Sequence, residues 1–245
     1  MSDTKGAALI VGAGDATGGA IARAFAREGL TACITRRPRH MAELQALADS
    51  IEAEGGRARA FGVDARKEED AVSLVDTIEA EVGPLDVCVF NIGANVRFPI
   101  RDMTTRIYQK VWEMAAYAGF LAGREAARVM VPRGRGTIIF TGATAAIRGG
   151  AGYAAFAGAK HALRALAQSM ARELGPQGIH VAHVVIDGAI DSQFIRENLS
   201  DADERRAKDG LLIPEEIAKN YVWLHKQHRA AWTHELDLRP WCETW

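Results

Sequence analysis

Six short apolar runs punctuate the chain: AALIV (7–11), TACIT (31–35), ARAFG (58–62), LDVCVF (85–90), GTIIFT (136–141) and IHVAHVVI (179–186). Runs this short and this apolar suit strands buried on both faces. Between them lie the longer stretches 19–28, 41–54, 68–81, 104–130 and 157–174. There the apolar positions recur every three or four residues, the spacing of one helix face. A last run, HELDL (234–238), alternates polar and apolar residues and reads as an edge strand. Strands alternating with helices predict an α/β fold: a Rossmann-type, doubly wound parallel sheet of about seven strands with helices on both faces. The segment from Asp191 to Ile213 breaks the rhythm, being polar and irregular for its length. It is expected to be a substrate lid (191–213) or a merely flexible loop.

Length and composition narrow the picture. At 245 residues, with no internal repeat, low-complexity tract or linker, the whole chain (1–245) reads as one domain. A formal charge of −1 argues against a nucleic-acid partner, whose recognition needs a basic surface. The one basic cluster is RRPRH at 36–40. Cys33 and Cys88 fall inside apolar runs, and with Cys242 they make an odd count. They suit a reducing compartment better than a disulfide frame. No His/Cys/Asp grouping has metal-ligand spacing, so no metal is expected. No apolar run is long enough to span a bilayer and no charged-then-apolar leader opens the sequence. A cytoplasmic protein with a small-molecule substrate and no membrane partner is the expectation.

The first strand runs into LIVGAGDATGGAIARAF. Gly12, Gly14 and Gly18 sit at G-x-G-x-x-x-G spacing, with Asp15 inside the turn. Backbone without Cβ lets a pyrophosphate approach amides at a helix N-terminus. The strand before the turn and the Ala-rich helix after it supply the context of a dinucleotide site. A glycine turn that only packs helix on strand is the alternative. At the end of the second strand stand Arg36 and Arg37, where a carboxylate would select NAD(H) by bonding the ribose 2′-hydroxyl. Guanidinium groups suit a 2′-phosphate instead, so NADP(H) is favoured over NAD(H), unless both are solvated loop charges.

Four further segments make the chain resemble the short-chain dehydrogenase/reductase family over nearly its whole length. VDAR (63–66) resembles the family's segment beside the adenine, with Asp64 and Ala65. FNIGA (90–94) resembles its Asn-Asn-Ala-Gly segment, with Asn91 and Gly93 lining the cofactor. Residues 154–181 resemble the active-site helix and the strand after it. IDGAIDS (186–192) resembles the Pro-Gly turn at the nicotinamide end, with Gly188 kept, Asp187 in place of proline and Ser192 in place of threonine. The resemblance implies an NAD(P)(H)-dependent oxidoreductase and a homodimer or homotetramer.

The same resemblance implies an Asn, a Ser, a Tyr and a Lys in catalysis, and only Lys160 matches. Position 156, four before the lysine, holds Phe156; the serine position holds Ala143; the asparagine falls near Ala115. A phenyl ring has no proton to give. Tyr153, seven before the lysine, is the candidate replacement acid, its spacing similar to that of the family's enoyl-reductase branch; the alternative is an aromatic packed at a helix start. Thr144 could replace the serine hydroxyl. Lys160 could act in catalysis or simply bind the ribose. Arg97 and Arg148 could meet an acidic substrate or be surface charges, and His183 reads as a hydrogen-bonded core residue. The expected function is reduction of a carbonyl or conjugated double bond with a non-standard proton donor. The alternative is a nucleotide-binding protein that is catalytically inactive or non-redox. The tail (233–245), with Trp241 and Trp245, is expected to pack on a neighbouring subunit or the site's rim, or to fold back on its own domain.

Overall fold

The computed structural model describes residues 6–244. The seven strands are β1 (Ala7–Val11), β2 (Thr31–Arg36), β3 (Arg57–Gly62), β4 (Leu85–Phe90), β5 (Gly136–Thr141), β6 (Ile179–Ile186) and β7 (Glu235–Leu238). They form one parallel sheet in the order β3-β2-β1-β4-β5-β6-β7. The chain winds outward from β1 to β3, then crosses back to β4 on the other side. The connections after β1 and β4 therefore diverge and leave a crevice at the carboxyl ends of those strands.

All five residues of β1 and all eight of β6 are buried, which explains why they read as continuous apolar runs rather than alternating ones. Alternate side chains feed two cores. Ala8 and Ile10 pack with Ile21 and Phe25 of α1 (Thr17–Arg27), Leu44 of α2 (Met41–Ala53) and Ile217 and Tyr221 of a late helix, Pro214–Lys226. Leu9 and Val11 pack on the other face with Leu74 of α3 (Glu68–Glu81), and with the helices that follow β4 and β5.

The amphipathic stretch 104–130 is three pieces: α4 (Thr105–Trp112), a π-helical turn (Glu113–Tyr117) and α5 (Ala118–Met130). Its packing on α6 (Ala154–Leu174) is close, since a Cβ at Gly119 would lie 2.4 Å from Leu163 Cδ1. α1 and α6 begin two or three residues earlier than the apolar periodicity suggests, because Thr17–Gly19 and Ala154–Gly158 carry few large side chains to mark a face.

The segment 191–213 is more regular than its polarity suggests. It holds α7 (Gln193–Asn198), whose first turn is capped by the Ser192 hydroxyl accepting from the Ile195 N–H, and α8 (Ala202–Ala207). Asp191 anchors the pair through Arg196 (2.8 Å) and Arg206 (3.1 Å). The last helix, α9, is Pro214–Lys226. Beyond β7 the described tail folds back on its own domain. Pro240 is buried beside Gly188, and Trp241 Nε1 donates to the Lys208 carbonyl at 2.9 Å. Trp245 lies outside the described residues. No helix among them is long and apolar enough to cross a membrane.

Candidate active site

The glycine turn is held open by its own hydrogen bonds. Gly12 takes a left-handed conformation (φ +93°), and its N–H and that of Ala13 donate to the Thr35 carbonyl at 3.1 and 3.0 Å. A Cβ at Gly18 would come within 2.5 Å of the Gly12 carbonyl oxygen, whereas one at Gly14 would meet nothing. Gly18 is thus required for packing, and Gly14 leaves backbone open to the crevice. Asn91 braces the turn from β4, its Nδ2 donating to the Gly12 carbonyl at 3.1 Å. The N-terminus of α1 has no side-chain cap, and the buried Thr17 hydroxyl has no hydrogen-bond partner. Unpaired helix-start N–H groups and an orphaned hydroxyl on a glycine cradle fit a bound diphosphate.

Two lobes open from this turn. The larger, about 610 Å³, is lined by Gly12, Gly14, Asp15, Thr17, Gly18, Asn91 and Gly93, and continues past Ala143, Thr144, Arg148, Tyr153, Phe156 and Lys160 to Gly188 and Ile190. The smaller, about 280 Å³, is lined by Arg36, Arg37, His40, Asp64, Ala65 and Arg66 and shares Gly12, Gly14, Asn91 and Gly93 with the first. The residues expected from sequence to bind a cofactor therefore line one continuous crevice. Asp64 is already engaged: Arg66 grips its carboxylate at 2.9 and 2.6 Å and holds its pKa below the usual range. Arg37 is lowered by burial and then by repulsion from Arg39 and Arg66, while Arg36 has Glu43 at 3.6 Å. This corner is a concentration of positive charge whose two nearby acids are engaged, Asp64 by Arg66 and Glu43 by Arg36 and His40.

Lys160 lies deep in the site, 1% exposed. Its Nζ donates to the carbonyls of Ile92 (2.9 Å) and Thr141 (2.8 Å). Burial alone pushes its pKa down to about 7. The Phe156 ring lies 5.9 Å from that nitrogen. Phe156 shares an apolar cluster with Ala115, which sits buried in the π turn, and Ala143 packs against it. The three positions that depart from the resembled pattern thus form one apolar patch, of which Phe156 and Ala143 face the larger lobe.

Tyr153 stands just before α6 with non-helical backbone and lines the larger lobe. The Arg97 guanidinium lies 5.8 Å from its ring centroid. Thr144 donates its hydroxyl proton to Asp187 Oδ1 at 2.5 Å, and Asp187 is 1% exposed. Arg148 Nη2 stands 3.9 Å from the same oxygen, and Arg239 Nη1 3.8 Å from the other. A hydroxyl has one proton, so in this arrangement Thr144 can only accept a bond from a ligand. His183 is fully buried, bonded to Glu235 Oε2 at 3.0 Å and pushed down to about 4 by burial, so it is a neutral core residue. Burial drives the Cys33 and Cys88 thiols up to about 12, which leaves them unreactive. Among the described residues no group of three or more His, Cys, Asp or Glu could hold a metal.

Sequence reasoning passed over Thr17, His40, Arg66 and the bonding role of Asp187. Arg66 and His40 carried a signal in their closeness to Asp64 and to the 36–40 cluster. Thr17 sat unremarked inside the glycine motif, and the Thr144–Asp187 bond carried no signal, since it joins side chains 43 positions apart.

The short chain dehydrogenase family model matches residues 6–203. YxjF, an uncharacterized oxidoreductase of Bacillus subtilis strain 168, is 32% identical over 203 residues, covering 82% of this chain and 77% of that protein. L-rhamnose 1-dehydrogenase (NAD(P)(+)) of Azotobacter vinelandii is 33% identical over 200 residues, 80% of this chain and 78% of that one. For other curated relatives the matched part falls to about half of their length, 54% for short chain aldehyde dehydrogenase 1 of Euphorbia lathyris. Among solved structures, a short-chain dehydrogenase from Rhodopseudomonas palustris shares 45% identity at a TM-score of 0.82, covering 97% of this chain and 100% of that one.

Proposed function

The chain belongs to the short-chain dehydrogenase family, and on that premise we propose that it is an NADP(H)-dependent oxidoreductase whose proton donor is not residue 156. The observation that carries this reading is the continuous crevice from the Arg36–Arg37 corner, past the uncapped start of α1, to Lys160. Gly12, Gly14, Gly18 and Thr17 would hold the diphosphate, with Asp15 at the rim. Arg36 and Arg37 would hold a 2′-phosphate, Asp64 and Ala65 would border the adenine, and Asn91, Gly93, Lys160 and Gly188 would border the rest of the coenzyme. A nicotinamide coenzyme supplies the hydride when bound. The name of the Azotobacter relative supports a coenzyme of this class.

The protein's own work is positioning and proton handling. The substrate, a small molecule with a carbonyl or conjugated double bond, would enter the part of the larger lobe bordered by Tyr153. The Tyr153 hydroxyl would give or take the proton there, and Thr144, its own proton on Asp187, would accept from the hydroxyl of a carbonyl substrate's alcohol form. A second reading is favoured by the packed patch of Phe156, Ala115 and Ala143: coenzyme binding without turnover. An aromatic ladder of exposed Trp112, half-buried Tyr117 and exposed Phe120, stacked at centroid distances of 5.9 and 6.2 Å, supports a homodimer or homotetramer.

Calorimetric titration of the full chain with NADPH and NADH tests the coenzyme reading. Uptake of NADPH about tenfold tighter than NADH, or more, is expected, a difference of about 1.4 kcal/mol. Absence of uptake of both would refute it.

A further inference from the structure

We infer that the substrate is an apolar organic acid whose carboxylate is held between Arg148 and Arg97 at the mouth of the larger lobe. The inference rests on the reading of that lobe as the substrate site. Beyond the glycine turn its wall carries Ala143, Ala145, Phe156 and Ile190 beside the polar Asn95, Thr144 and Tyr153, and Arg148 lines it as well. Lys160 is turned away onto two carbonyl oxygens. An apolar pocket with cationic groups at one end matches a hydrocarbon body with an anionic head.

Arg97 is posed rather than loose. Gly152 adopts φ +86°, and a Cβ there would lie 3.0 Å from Arg97 Cγ, so the missing side chain is the space in which the arginine stem lies. The Phe98 N–H donates to the Gly152 carbonyl at 2.8 Å and ties the two loops together. The guanidinium ends over Tyr153, which lines the lobe. Among the described residues no carboxylate pairs with Arg97. The acid nearest Arg148 is Asp187, at 3.9 Å, and that oxygen already accepts from Thr144 at 2.5 Å. Among the described residues Arg97 thus stands over Tyr153 without an acid partner, and Arg148, also on the lobe wall, shares its one acid with Thr144. Each presents a planar fork that fits a carboxylate. The attraction strengthens as the substrate displaces water from the mouth.

The test uses phenylacetate and its neutral isostere phenylacetamide, titrated by calorimetry into the full chain with and without NADP+. The acid should bind about tenfold more tightly than the amide or better. Arg148→Gln should abolish that preference and Arg97→Gln should weaken it, while Arg101→Gln, on the same loop as Arg97, should leave it intact. Equal binding of acid and amide would overturn the proposal, as would a preference that survives Arg148→Gln and Arg97→Gln together. A protein that takes up NADP+ but neither probe overturns the anion site and leaves the coenzyme reading standing. A protein that takes up neither coenzyme nor probe overturns both.

Discussion

Thr144 and Asp187 are joined by a 2.5 Å hydrogen bond across 43 positions of sequence, with the carboxylate almost wholly out of water. A buried carboxylate that loses a donor bears the full cost of its desolvation. Thr144→Val should therefore destabilise the fold by about 1–3 kcal/mol, and Thr144→Ser by clearly less. Urea unfolding of the two variants beside the parent checks this.

Phe156→Tyr would place a phenol on the ring that lies 5.9 Å from the Lys160 nitrogen. NADPH oxidation with a panel of ketones should rise about tenfold or more, a barrier change of about 1.4 kcal/mol. Coenzyme affinity should stay within a few-fold. Steady-state rates and a coenzyme titration on the same preparation decide it; an unchanged rate would mean that Ala115 and Ala143 deprive the site of more than its acid.

Tyr153→Phe removes the hydroxyl from the lobe and keeps the ring beneath Arg97. Turnover of enones and ketones should fall about a hundredfold, within the usual range for a lost general acid. NADPH binding should be unaffected. Comparing kcat with coenzyme affinity separates lost chemistry from a misfolded site.

Arg37→Glu reverses a charge in the smaller lobe, where His40 and Arg66 also stand. The preference for NADPH over NADH should drop about tenfold or more, since a carboxylate repels a 2′-phosphate and accepts from a 2′-hydroxyl. Parallel titrations with the two coenzymes measure the ratio.

Lys160 gives a prediction about pH. Its native pKa is about 7 and its ordinary value 10.5. Below about 7 both states carry the proton, and the native state bears the whole cost of burying it. Between the two values the unfolded chain keeps a proton that the native chain has shed, so this group makes stability rise with pH. Relative to Lys160→Met, the coenzyme-free parent should gain about 2–3 kcal/mol between pH 7 and 9.5. Denaturant unfolding at both pH values reads the gain, and a flat difference would show that the ammonium is not desolvated.

The fold was legible because its signals are local. Five-to-eight-residue apolar runs, and a glycine pair at the end of one of them, depend on neighbours in sequence, and Ala7–Val11 and Gly12 carry them intact. The short helices Gln193–Asn198 and Ala202–Ala207 were missed because six residues make fewer than two turns, too few for periodicity to show. The site divides the same way. The glycine turn was readable from spacing, and Lys160 from the family resemblance. The commitment of Thr144 to Asp187 and the seating of Arg97 over Tyr153 join loops that only the folded sheet brings together.

The Trp241–Lys208 bond has a practical consequence. The stretch after β7 pins the carboxyl end of α8, so Trp241→Phe, which loses the indole N–H, would release the Lys208 carbonyl and let that short helix fray.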